Sequence, residues 1–175
     1  MRSDRISFLA VATAGAGLIG FIGVFADWYS LAYQFSGTKV VLDYYGTVDG
    51  TGAIAVAASL GALMFGCAYM LLQDEQIRRI TALLMALSSI VLLVTSAIGF
   101  TRVDEAIGPN PLLPGVTGTA RFTATVAFGL GVSFVAGVIA TVASVLLVTR
   151  RESGDEAGAD VPSAAAQERS PSLTG

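Results

Sequence analysis

The stretch ITALLMALSSIVLLVTSAIGF, residues 80–100, decides the fold class, because none of its side chains is charged. Three further stretches of similar length are equally free of Asp, Glu, Lys and Arg. Runs of about 18 or more uncharged, mostly apolar residues are typical of helices that cross a lipid bilayer. The sequence therefore predicts an all-α membrane protein, a four-helix transmembrane bundle with spans at about 6–26, 53–73, 79–100 and 122–149.

The overall composition agrees with this prediction. Charged residues make up 13% of the chain, about half the share of a typical soluble domain, so the chain has too little polar surface for water. The net charge of −3 argues against a nucleic-acid partner. The expected partners are the lipid bilayer and either another membrane protein or a second copy of the chain. Residues 1–151 form the predicted transmembrane domain.

The chain beyond Arg151 differs sharply in composition. Residues 152–175 are rich in Ser, Ala, Gly, Pro and acidic residues and contain no aromatic residue. Such a segment cannot bury enough apolar surface to fold alone. We therefore predict a disordered cytoplasmic tail.

The basic residues predict the orientation of the helices. Six arginines flank the spans on one side, and three basic residues lie on the other, at Lys39, Arg102 and Arg121. Basic residues accumulate on the cytoplasmic side, so we expect a multi-pass protein of the plasma membrane with both termini in the cytoplasm. The six flanking residues are Arg2, Arg5, Arg78, Arg79, Arg150 and Arg151. The pairs Arg78-Arg79 and Arg150-Arg151 are also expected to contact anionic lipid headgroups.

The first span has an alternative interpretation as a cleaved signal peptide, since Val24-Phe25-Ala26 resembles a cleavage site. Signal peptides usually have apolar cores of only about 7–15 residues, and this run is longer. The length favours a retained helix, and cleavage would leave three spans.

The first connecting segment predicts a small β-hairpin on the extracytoplasmic side. Apolar and polar residues alternate over 28–35 and again over 39–45, with the turn-forming residues Ser36 and Gly37 between the two runs. The aromatic residues of this segment suit either the membrane interface or a partner protein. Asp27 and Arg121 would meet if the first and last helices were neighbours. The candidate interaction surface consists of Asp27, Trp28, Tyr29, Tyr44, Tyr45 and Arg121.

The sequence offers little catalytic chemistry. It contains no His, a single cysteine at Cys67 and no charged residue deep within a span. Catalytic triads, His metal sites and two-thiol redox sites are therefore excluded. We predict no catalytic residue, no metal and no cofactor, and hence a protein that is not an enzyme.

Small residues recur at four-residue spacing within the spans. Ala58, Ala62 and Gly66 form one such stripe, and Gly129, Ser133 and Gly137 another. Because lipid provides little hydrophobic drive for helix association, close backbone approach at small residues is expected to hold the bundle together.

Short motifs give the chain a resemblance to a known kind of protein. Phe25-Ala26-Asp27-Trp28, then Ser36-Gly37, then Val48-Asp49-Gly50-Thr51-Gly52 resemble the uncharacterised four-span membrane proteins of actinobacteria and some archaea. These proteins often have Leu-Pro where this chain has Ala26-Asp27. The resemblance covers about residues 6–102 and implies a four-span fold without an assigned activity. The layout is also similar to that of claudin-like proteins, as an architectural analogy without their loop cysteines.

Two functions are open on these grounds. The first is a non-enzymatic accessory or interaction subunit of a membrane complex, which accords with the absence of catalytic chemistry and the patterned outer segment. The alternative is a small transporter or channel that acts as an oligomer and carries an apolar substrate. An open or polar path between the helices would favour the alternative.

Overall fold

The structure is a computed structural model that describes residues 2–35, 38–46, 50–103 and 121–159. Its four helices are α1 (Arg2–Phe25), α2 (Gly50–Leu71), α3 (Glu75–Thr101) and α4 (Phe128–Ala159). Its three strands are β1 (Asp27–Phe35), β2 (Thr38–Tyr45) and β3 (Arg121–Val126). All four helices are long and apolar enough to cross a membrane.

The helices form a closed ring in which α1 packs against α2 and α4, and α3 packs against the same two helices. The predicted four-helix bundle is thus confirmed as an arrangement of helices. The prediction of an all-α protein is incomplete, because the strands form an antiparallel sheet in the order β2-β1-β3. We call the end of the bundle that carries this sheet the sheet end, and the end with the α2–α3 link the opposite end.

The predicted hairpin is confirmed, since β1 and β2 pair antiparallel from Phe35 and Thr38 back to Asp27 and Tyr45. The Ser36-Gly37 turn lies outside the described residues. Sequence alone missed β3, which pairs with the other edge of β1.

The last helix begins later than predicted. Residues 122–126 belong to β3, and α4 starts at Phe128, so the predicted span of 122–149 is too long at its start. The distribution of charge cannot show where the strand ends and the helix begins, because residues 122–149 contain no charged residue. The β-branched residues Thr123, Thr125 and Val126 favour the strand, which β1 then completes with backbone hydrogen bonds.

The end of α4 also differs from the prediction. The helix continues to Ala159, whereas composition predicts disorder from Glu152 onward. The first proline after the last span is Pro162, so no residue before it forbids the helix from continuing. Residues 160–175 of the predicted tail lie outside the described part of the chain.

Small residues bring the helix backbones together, as their spacing predicts. A Cβ atom on Gly17 would lie 2.6 Å from the backbone nitrogen of Leu63 in α2. A Cβ atom on Gly129 would lie 2.7 Å from the carbonyl oxygen of Gly23 in α1, and one on Gly137 would lie 2.9 Å from the Cα of Leu93 in α3. Larger residues at these positions would push the helices apart.

The interior of the ring is filled by side chains. Met85, Leu92, Leu130 and Leu147 are fully buried within it. The buried hydroxyl groups mostly donate to carbonyls of their own helix, as Ser89 does to Met85 at 2.8 Å and Ser96 does to Leu92 at 2.9 Å. Hydroxyls paired in this way require no ligand or water.

Candidate functional site

The sheet end holds most of the residues that the sequence singles out. β1 leaves α1 after Ala26, and its pairing with β2 shifts register between Asp27 and Tyr29. Successive residues of a regular strand point to opposite faces, but a bulge changes this alternation. As a result, Trp28 and Tyr29 are both buried, although they are adjacent in sequence.

Trp28 closes the sheet end of the bundle. Its side chain is fully buried, and its indole Nε1 donates a hydrogen bond to the carbonyl oxygen of Gly23 at 3.2 Å. The ring lies against Gly46 at the end of β2, where an added Cβ would come within 2.5 Å of Nε1. Buried indoles normally have a partner for their N–H group, and here the last turn of α1 provides it.

Tyr29 ties the central strand to the bundle. Its hydroxyl donates to the carbonyl oxygen of Gly99 in the last turn of α3, at 2.7 Å. The backbone of the same strand also receives a hydrogen bond, since the amide of Ala127 donates to the carbonyl of Trp28 at 2.9 Å. β1 is therefore fixed to α1, α3 and the start of α4, and the sheet is held as part of the core.

The outer face of the sheet is polar by comparison. Ser30 donates a hydrogen bond to the Asp43 carboxylate at 2.6 Å, across β1 and β2. Thr125 on β3 donates to the carbonyl of Ser30 at 3.3 Å. These bonds pair the polar groups of the three strands within the sheet itself.

The outer strand β2 is exposed along most of its length. Val41 is 50% exposed, Leu42 41% and Tyr45 54%. Within the described ranges no strand pairs with the free edge of β2, because β1 occupies only its inner edge. A sheet edge with unpaired N–H and C=O groups is a template for another extended segment.

The structure separates the residues of the predicted interaction surface. Trp28 and Tyr29 are buried, because the bulge turns both side chains inward, and so neither lies on an exposed surface. Tyr44 is partly buried and packs against the core around Trp28, whereas Tyr45 remains exposed. Asp27 is partly buried at the start of β1.

Arg121 and Asp27 do not come together. The first and last helices are neighbours, as the prediction requires, but Arg121 begins β3 instead of α4. It pairs in register with Gln34, seven residues along β1 from Asp27. That separation corresponds to about 23 Å of strand, which places the two residues at opposite ends of the sheet.

Sequence reasoning missed two features of this region. One is the bulge, which has no signature in the alternating pattern of residues 28–35. The other is the contact of Trp28 with Gly46, which joins residues from different elements. Gly46 directly follows β2, but a lone glycine at a strand end predicts a turn as readily as a close approach.

A second feature is an apolar groove of about 680 Å³ between α1 and α4. Small residues form much of its floor, including Gly15 on α1 and Gly131 on α4, next to Phe128 and Ile139. No charged residue lines the groove, so it presents an apolar surface without a group that could bind an ion. Among the described residues no three acidic, Cys or His side chains gather as metal ligands would.

Comparison of the chain with known protein families and with characterised proteins finds no match.

Proposed function

We propose that the chain is a four-span protein of the cytoplasmic membrane, with both termini in the cytoplasm, that acts as a non-enzymatic accessory subunit of a membrane complex. The four long apolar helices support insertion, and the six arginines at or near the opposite end support this orientation. In this arrangement the sheet lies outside the cell and carries the contact with the partner.

The observation that carries the proposal is the exposed outer strand β2 on a sheet that is otherwise fixed to the core. Trp28 and Tyr29 anchor β1, so β2 presents its edge from a rigid base. Val41 and Tyr45 provide apolar surface next to that edge. Extended segments commonly bind such edges through backbone hydrogen bonds, with side-chain contacts adding specificity. We therefore assign the binding of a partner protein to β2.

The packing of the bundle favours this function over transport. A channel or transporter needs a polar or open path, and the described interior is filled by large apolar side chains. The hydroxyls along the helices are mostly paired within their own helix, as Thr81 is with Ile77 at 2.8 Å. The α1–α4 groove lies on the outside of the ring and has no polar lining.

The membrane part of the proposal is tested by labelling with a thiol reagent that cannot cross a bilayer. Cys67, which is exposed, is first replaced by alanine. A single cysteine is then introduced at one of two exposed positions, as Lys39→Cys in β2 or as Gln76→Cys in the first turn of α3. We expect Lys39→Cys to react in intact cells and Gln76→Cys to react only after permeabilisation. Equal labelling of both variants in intact cells would reject the proposed orientation.

The partner contact is tested by placing a photo-crosslinking residue at Val41 or Tyr45 in cells. A matched control carries the same residue at Leu87 in α3, which is 59% exposed and lies within a candidate span. We expect one discrete protein adduct from both β2 positions and none of that mass from Leu87.

Two results would contradict the partner contact. The first is identical adducts from all three positions, which would indicate contact by chance within a crowded membrane. The second is substrate flux through vesicles that contain the purified protein alone, which would favour the transport alternative.

A further inference from the structure

The opposite end of the bundle is closed by a second buried aromatic residue. Tyr69, in the last turn of α2, is 1% exposed and packs with Ala10, Met85 and Leu147, which come from the other three helices. Its ring therefore lies at the point where the whole bundle ends. No residue of the sheet takes part in this cluster.

A guanidinium group covers the Tyr69 ring. The Cζ atom of Arg78, in the first turn of α3, lies 4.6 Å from the ring centroid. A cation at this distance from an aromatic face is attracted to the ring, and the planar guanidinium stacks on it. The short link from Leu72 to Asp74 brings the two residues together. The ring thus holds the side chain of Arg78 in one place.

Among residues 8–32, 39–46, 50–103 and 123–149, whose side chains the structure describes, no carboxylate pairs with Arg78. Its Nε is buried and meets no hydrogen-bond acceptor there, and the residue as a whole is only partly exposed. Glu75, three residues before Arg78, takes part in another interaction, and the Oδ1 of Asp74 accepts from the amides of Gln76 and Ile77 at 2.9 and 3.0 Å. A guanidinium that a ring holds in place, with no acceptor on its Nε, is suited to an external anion.

We propose that Arg78, positioned by Tyr69, binds a phosphate oxyanion at the opposite end of the bundle. A guanidinium presents paired donors that match phosphate oxygens, and phosphates of anionic lipids lie at this level on the cytoplasmic side of a membrane. This inference rests on the proposed insertion and orientation but not on the proposed partner. The chemistry is that of a phosphate, whether it comes from a lipid headgroup or from a free anion.

The experiment measures the thermal unfolding of the purified full-length protein in a neutral detergent. Three compounds are added separately: a short-chain phosphatidylglycerol, the matching phosphatidylcholine and inorganic phosphate. A ligand that binds only the folded protein raises its Tm, by about 5 °C at a concentration of about 100 times its Kd. We expect that rise with phosphatidylglycerol and not with phosphatidylcholine, whose headgroup is neutral overall.

Two variants of equal charge decide whether Arg78 is responsible. Arg78→Gln and Arg79→Gln each remove one positive charge from adjacent positions, so general attraction to anions falls equally in both. We expect Arg78→Gln to weaken the apparent affinity about tenfold or more, because a hydrogen bond between charged groups is lost. Arg79→Gln should change it by about fivefold at most.

Two further variants test the inference even if Arg78→Gln does not fold. Arg78→Lys keeps the charge but loses the planar group, and Tyr69→Leu removes the ring; both should reduce the Tm rise caused by phosphatidylglycerol. Equal behaviour of the Arg78 and Arg79 variants, or no rise with any compound, would overturn the inference. An equal rise with inorganic phosphate would support a phosphate site filled by the free anion.

Failure of the membrane proposal and failure of the phosphate site can be told apart. A chain that remains soluble and monomeric without detergent would reject the proposed insertion. A chain that inserts with the expected orientation but shows no dependence on Arg78 would reject only the phosphate site.

Discussion

The two ends of the bundle are closed in different ways around the same kind of residue. At the sheet end, Trp28 is fully buried, and its only polar atom donates to the Gly23 carbonyl. At the opposite end, Tyr69 is equally buried, but its ring is covered by the charged side chain of Arg78. One aromatic residue is therefore enclosed by the fold, and the other lies beneath a cation at the boundary of the fold.

This difference indicates what each end is suited to do. The enclosure of Trp28 depends on a sheet, a bulge and a glycine contact, and it creates a rigid base for the exposed strand β2. The closure at Tyr69 depends on a single stacked side chain and the short link from Leu72 to Asp74. We expect substitutions at the sheet end to affect stability strongly and those at the opposite end to affect anion binding more than stability.

The largest effect is expected for Trp28→Ala. Loss of a large buried aromatic side chain costs about 3–5 kcal/mol, since the surrounding residues cannot refill the cavity. The free energy of unfolding, measured by denaturant titration in detergent, should fall by that amount. Tyr45→Ala, at an exposed position of the same sheet, is the control and should change it by about 0.5 kcal/mol or less. Similar losses for both variants would mean that Trp28 does not close this end.

A smaller loss is expected for Gly46→Ala. The added Cβ would overlap the Trp28 ring, which cannot move because it is fully buried. Overpacking of this kind costs about 1–3 kcal/mol. Gly50→Ala, at the first residue of α2, is a matched control, because nothing lies within 4 Å of its added Cβ. If the two alanine variants have the same Tm, the contact between Gly46 and Trp28 is unimportant.

Tyr29→Phe separates the hydrogen bond from the packing of the ring. The variant keeps the aromatic ring but loses the bond to the Gly99 carbonyl, which should cost about 1 kcal/mol. The same titration measures the change, with Tyr45→Phe as a control at an exposed position. A loss no greater than that of the control would indicate that packing alone fixes β1.

The smallest change in stability is expected for Arg78→Gln. A partly exposed cation over an aromatic ring contributes about 0.5–1 kcal/mol. Arg79→Gln, one residue further along and exposed, should cost about 0.5 kcal/mol or less. A loss from Arg78→Gln as large as that from Trp28→Ala would remove the contrast between the two ends.

Much of the fold could be predicted because its cause is local. An uncharged run such as residues 80–100 predicts a spanning helix whatever surrounds it, and the structure has α3 there. The hairpin of β1 and β2 was predictable for the same reason, since its alternation and turn lie within 19 consecutive residues. The packing role of Gly66 and Gly137 followed from spacing along one helix.

The candidate site was less predictable because its geometry depends on distant segments. The alternation of residues 28–35 places Trp28 on the face opposite Tyr29, and only pairing with β2 reveals the bulge that buries both. The central place of β1 likewise depends on β3, which pairs with its other edge although it begins 86 residues after β1 ends, so that β2 and β3 are the two edge strands.

The sequence alone determined the number of long apolar helices, the short link between the second and third of them and the absence of His, because composition and local periodicity carry that information. The tertiary structure alone decided which aromatic residues are buried, which strands lie at the two edges of the sheet and which arginine stacks on a ring. Each of those features depends on contacts between residues of different helices or strands, and the pattern within one element does not encode such contacts.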